Sequence, residues 1–179
     1  MRSRRAHSRI AAIGIGVLGG LLAGGATADG PCSEPILHFV GSHNVPFERA
    51  VKRAIDLAAR RLGEEGCGAI LLEFHDPTGR VLDDRLRERG PGVQDYVGQL
   101  FFLDGDRTPL CQSSERLAGS APGGRFVLIC GQRFVRLQRE EPNYAAVVLL
   151  HEALHTLGLS EDPPSSAEIT ERVFARCGK

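Results

Sequence analysis

The chain of 179 residues is short of net charge, of closely paired cysteines and of long apolar sequence, and each shortage excludes something. Lysine and arginine number 22, as do aspartate and glutamate, so the composition lacks the basic excess with which proteins grip nucleic acid. The five cysteines, Cys32, Cys67, Cys111, Cys130 and Cys177, include no CxxC pair, which argues against a cysteine zinc site or a thioredoxin-like motif. The apolar run from Ile10 to Ala26 holds six glycines and is short and weakly apolar for a membrane span. There is no internal repeat, and methionine occurs once, at Met1.

What is present at the start of the chain has the order of an export signal. Four arginines and no acid precede Ile10, and the small residues Ala26-Thr27-Ala28 end the apolar run. The expectation is a signal peptide over residues 1–28, cleaved after Ala28, and one exported domain over residues 29–179, periplasmic or extracellular and free of the membrane after cleavage. Loss of four arginines leaves 18 basic against 22 acidic side chains, a mildly acidic protein. All five cysteines fall in the exported part, where disulfides persist. Two disulfides with one cysteine left over are expected, and Cys111 and Cys130, flanking a Gly/Ser/Pro-rich excursion, are the first pair.

Apolar periodicity predicts strands at 36–40, 69–74, 99–103 and 125–130. It also predicts a helix from Pro46 to Leu62, with Phe47, Ala50, Val51, Ala54, Ile55, Ala58 and Leu62 on one face. The first two strands and this helix read as a βαβ unit. Parallel strands start at one sheet edge, which would bring Cys32 and Cys67 together as the second disulfide. The charged stretch from Asp76 to Gly98 reads as a surface loop or short helix. A long helix is expected from about Asn143 to Leu157, and Ser165-x-x-Glu168 matches a capping box ahead of a short amphipathic helix. The fold class is therefore α+β: one domain, a small mixed β-sheet packed on two main helices, and a short C-terminal helix.

The chemistry-bearing stretch is HEALHTLGLSED, residues 151 to 162. Side chains four apart on a helix lie one turn above the other, so His151 and His155 can present two imidazoles to one metal ion. Glu152 is turned about 100° from the first ligand, close enough to act on a water without ligating the metal. The preceding YAAVVLL is apolar almost all round, as a helix buried against a sheet would be. His38, His43 and His75 read as satisfied or solvated histidines.

HEALHTLG resembles the active-site helix of zincin metallopeptidases, and the pattern through Glu161 is similar to the metzincin motif HExxHxxGxxH with its last histidine replaced. The likeness covers residues 151–161. It departs from metzincins in having no methionine turn, since Met1 is the sole methionine, and only 24 residues follow His155. What it implies is a minimal zincin-like domain, with one zinc per chain held by His151, His155 and a third ligand. Glu161 occupies the family's third-ligand offset; Asp162, Glu168 or Glu171, or a distant histidine, are the alternatives.

The implied activity is a secreted zinc metallopeptidase. Glu152 would serve as general base on a zinc-activated water, and a peptide or protein substrate would pair with an edge strand, 99–103 or 125–130. Tyr144 and Arg125 are candidate oxyanion donors by residue type. Two other classes compete: a non-catalytic zinc-stabilised binding module, and an endoribonuclease similar to the YbeY type, whose pattern lacks the glutamate after the first histidine. Arg176-Cys177-Gly178 is similar to the cysteine switch of matrix metalloproteinase propeptides, against which stands a plain disulfide for Cys177.

Overall fold

The computed structural model describes residues 39–179. The expected signal peptide, the cysteine Cys32, the histidine His38 and most of the first predicted strand lie outside the described residues.

The chain runs β1 (Phe39–Gly41), α1 (Val45–Leu62), α2 (Glu65–Gly68), α3 (Ile70–Glu73), α4 (Leu82–Arg89), α5 (Val93–Gly98), β2 (Phe101–Asp104) and a 3₁₀ turn (Pro109–Gln112). It then continues β3 (Ala118–Ser120), β4 (Phe126–Ile129), α6 (Gly131–Glu140), α7 (Pro142–Thr156) and α8 (Ser166–Cys177). This is a mixed α+β architecture with a four-stranded sheet in the order β1-β2-β4-β3. β1, β2 and β4 are parallel, while β3 pairs antiparallel with β4 and ends the sheet.

Helix α1 starts where Asn44 accepts a hydrogen bond from the Phe47 amide, and Pro46 sits in its first turn. Its predicted apolar face, Phe47 through Leu62, is buried and packs against α5, α6 and α7. Phe102, Val127 and Ile129 add the core side of the sheet. On its other side Phe39, Phe101 and Phe126 stand in register across three strands, with ring centroids 5.1 and 5.2 Å apart.

The stretch 69–74, expected as a strand, instead forms the short helix α3 over Ile70–Glu73. Ile70, Leu71 and Phe74 are buried while Leu72 is 59% exposed, so the buried side chains follow a helical face and not an alternation. The parallel partner of β1 is accordingly β2, and α1 to α5 all lie within that crossover. Cys67, carried on α2, is bonded to Cys177 at the end of α8, which corrects the expected Cys32–Cys67 pairing. The pairing of Cys111 with Cys130 is as expected. Both are the kind of bond that persists outside a reducing cytosol. With Cys177 bonded and Arg176 paired to Glu73 at 2.5 Å, Arg176-Cys177-Gly178 offers no free thiol for a switch.

The charged stretch from Asp76 to Gly98 forms α4 and α5, with Leu82, Leu86, Tyr96 and Val97 buried beneath its charged surface. Helix α7 matches the expected long helix, and the capping box of Ser165 and Glu168 opens α8. Among the described residues no helix is long and apolar enough to cross a membrane.

Candidate metal centre

Helix α7 is apolar on nearly every side, with Ala145, Ala146, Val147, Leu149 and Leu150 buried, and its C-terminal end carries His151, Glu152 and His155 into the interior. The Nε2 atoms of His151 and His155 face each other at 2.9 Å. Gly158 then adopts φ +117°, a left-handed conformation that side chains resist, and turns the chain back under the helix. That turn brings Glu161 Oε1 to 3.3 Å from His155 Nε2 and 3.8 Å from His151 Nε2.

The far side of each ring is already engaged. His155 Nδ1 lies 2.8 Å from the carbonyl of Leu159, and a carbonyl only accepts, so Nδ1 carries a hydrogen and Nε2 is left facing inward. His151 Nδ1 meets the Thr170 hydroxyl of α8 at 2.9 Å. Burial, then the neighbouring His155, push the His151 imidazole down to about 4, so it is neutral, the form that ligates metals. Two ring nitrogens and a carboxylate oxygen thus converge on one point, where a single cation could meet all three.

The donors fit a metal ion. A tetrahedral ion with bonds of about 2.0–2.2 Å holds its ligand atoms about 3.3 Å apart, and the observed separations of 2.9, 3.3 and 3.8 Å bracket that spacing. Among the described residues His151, His155 and Glu161 form the one group of three such donors, and no fourth protein ligand joins them.

Glu152 is also buried but stands outside this group. Its Oε2 accepts a 2.7 Å hydrogen bond from Ser120 of β3, whose hydroxyl also lies 3.1 Å from the Glu152 carbonyl. Burial raises the Glu152 carboxyl above the ordinary glutamate range, and the Ser120 hydrogen bond opposes that rise.

A cleft of about 660 Å³ opens over these groups, with Ala118, Gly119 and Ser120 on one side and Tyr144 and Thr170 on the other. The strand at its border is therefore β3. The segments expected to serve as the edge, 99–103 and 125–130, form β2 and β4, each paired on both sides. β3 is three residues of Ala-Gly-Ser with no apolar alternation to reveal it.

The other expected residues separate cleanly. Asp162 does not join the donor group, and Glu168 is committed to the Ser165 amide and hydroxyl, each at 2.8 Å. His43 lies exposed before α1, and exposed His75 forms an isolated bridge with Val81. Tyr144 lines the cleft; Arg125 donates to the Gln99 carbonyl and lies over the Phe101 ring, outside the cleft lining. Sequence reading missed Ser120, Thr170 and Arg116, all in the cleft wall, because a lone hydroxyl or cation in a short segment carries no periodic signal.

More distant groups hold the end of α7. Arg89 donates to the Thr156 carbonyl at 2.8 Å and the Gly123 carbonyl at 3.1 Å, Gly123 N–H donates to the His155 carbonyl, and Tyr96 shares a 2.8 Å hydrogen bond with Thr156. The β3–β4 connection and the ligand-bearing turn are thereby tied together.

Comparison with protein-family models, with curated protein sequences and with solved structures finds no match to this chain.

Proposed function

We propose that this chain is an exported zinc metallopeptidase with a zincin-like active site. The observation that carries the reading is the division of labour on one helix turn: His151 and His155 converge with Glu161, while Glu152 lies beside them, buried and outside the donor set. A site closed by four protein ligands would suit a structural metal, whereas three with a cleft above suit catalysis. Zinc bound by the three would acidify water toward a pKa of about 7 and polarise an amide carbonyl.

The chain's own groups supply the remaining work. Glu152 takes the proton of the attacking water and returns it to the departing amine nitrogen. Ser120 orients the Glu152 carboxylate through its 2.7 Å hydrogen bond. β3, the last strand of the sheet, offers backbone hydrogen bonds to an extended peptide laid along the cleft. The two disulfides support export.

The test compares zinc-loaded wild type with Glu152→Gln on a broad peptide library, with metal content measured in both. The expected result is about one zinc in each and a loss of roughly 10²–10⁴ in cleavage rate in the variant. Equal cleavage by the two proteins would remove the mechanism.

A further inference from the structure

The cleft does not end at Thr170. A second groove of about 570 Å³ shares Tyr144, Ser166 and Thr170 with it and runs on between the start of α7 and the outer face of α8. Its walls are aromatic: the Tyr144 and Phe174 rings lie 6.0 Å apart at 59°, and Phe174 is 49% exposed. Its rim is acidic, with Glu141 from the head of α7 and Glu171 one turn before Phe174 on α8.

No lysine or arginine lines this groove among the described residues, and neither Glu141 nor Glu171 has an ion-pair partner among them. The two arginines of α8 that could have neutralised it are spent elsewhere. Arg172 lies over the Phe74 ring at 5.5 Å, and Arg176 pairs with Glu73. Small residues, Ser166 and Ala167, leave the floor open.

We propose that this groove is a subsite for a lysine or arginine side chain of the substrate, so that the peptidase, on the reading given above, acts on peptides with a basic residue near the cut bond. The chemistry of the walls selects that class. The aliphatic stem of a long cationic side chain packs along aromatic rings while its head meets the carboxylates. A purely apolar side chain would cover two carboxylates without pairing them, and an acidic one would be repelled.

Two measurements test this separately from catalysis. In the first, zinc-loaded full-length Glu152→Gln protein is titrated with acetylated, amidated hexapeptide pools that differ only in carrying lysine, norleucine or glutamate at one position. Lysine is expected to bind roughly five- to fiftyfold tighter than norleucine at one position. That preference should fall below about twofold when Glu141→Gln and Glu171→Gln are added, and should shrink as salt is raised. Equal binding of lysine and norleucine, a preference indifferent to those glutamines, or no binding of any pool overturns the subsite.

In the second, cleavage sites made by the wild type in the broad library are sequenced. Enrichment of lysine and arginine at one position, lost in Glu141→Gln/Glu171→Gln, supports the proposal, and cleavage without basic enrichment at any position overturns it while leaving the peptidase intact. If the wild type cuts nothing but the lysine preference and its loss are seen in binding, the peptidase reading fails and the subsite stands.

Discussion

Ser120 donates to Glu152 Oε2 at 2.7 Å, and this one hydrogen bond joins the outermost strand of the sheet to the helix that carries both histidines. On the proposed reading, strand and helix meet at the group that would move protons, and the same contact sets the cleft wall.

Removing that contact should act on catalysis and leave the metal in place. Ser120→Ala is expected to retain its metal and to lose about tenfold or more in kcat/KM, since a hydrogen bond to a charged group contributes about 1.5–3 kcal/mol. Ser120→Thr should recover most of it. Metal analysis beside steady-state kinetics reads both; a variant that loses metal would place Ser120 in the scaffold instead.

Metal affinity should depend on the third ligand and on what holds the rings. Glu161→Ala is expected to release the ion at concentrations where Asp162→Ala and Glu168→Ala keep it, because only Glu161 reaches the two imidazoles. Thr170→Val should weaken binding by about 10–100-fold through the loss of the partner to His151 Nδ1. Competition with a chromogenic chelator measures all four, and equal affinity in Glu161→Ala and wild type would remove Glu161 from the site.

The turn beneath the site has its own pH signature. Asp76 is buried and accepts from the Thr78 hydroxyl at 2.6 Å, the Arg80 amide at 3.0 Å and Arg85 at 2.5 and 2.6 Å, and its Cβ lies 3.4 Å from where a side chain at Gly158 would begin. The Thr78 hydroxyl first, and then the Arg80 amide and Arg85, hold its carboxyl well below the usual carboxylate range against the opposing effect of burial. A carboxyl depressed in the folded state stabilises above its unfolded pKa of about 3.9, and that contribution is lost as pH falls toward the folded value. Thermal unfolding of wild type and Asp76→Asn should therefore differ most near neutral pH, and the gap should narrow steadily below pH ~4. A gap of constant size would exclude the ionised carboxylate as its source.

Much of this protein was legible before folding where a signal is local. The face of α1 and the capping box of α8 rest on residues three or four apart and the apolar body of α7 on a contiguous run, and the structure has all three in place. The short apolar run 69–74 misled because four or five apolar residues fit a strand or a buried helix equally until their neighbours are known. The disulfide error followed directly from it, since the Cys32–Cys67 expectation required a second parallel strand beside Cys67.

By itself, then, the sequence determined the two histidines one turn apart, the glutamate between them, and Gly158 as the place where the chain could reverse, because helical spacing and backbone freedom are properties of adjacent residues. Tertiary structure alone decided that Glu161 reaches the imidazoles, that Ser120 and Thr170 hold Glu152 and His151, and that β3 borders the cleft. Those contacts link positions as far as 32 residues apart through packing of strand on helix and helix on helix, and no spacing along the chain encodes them.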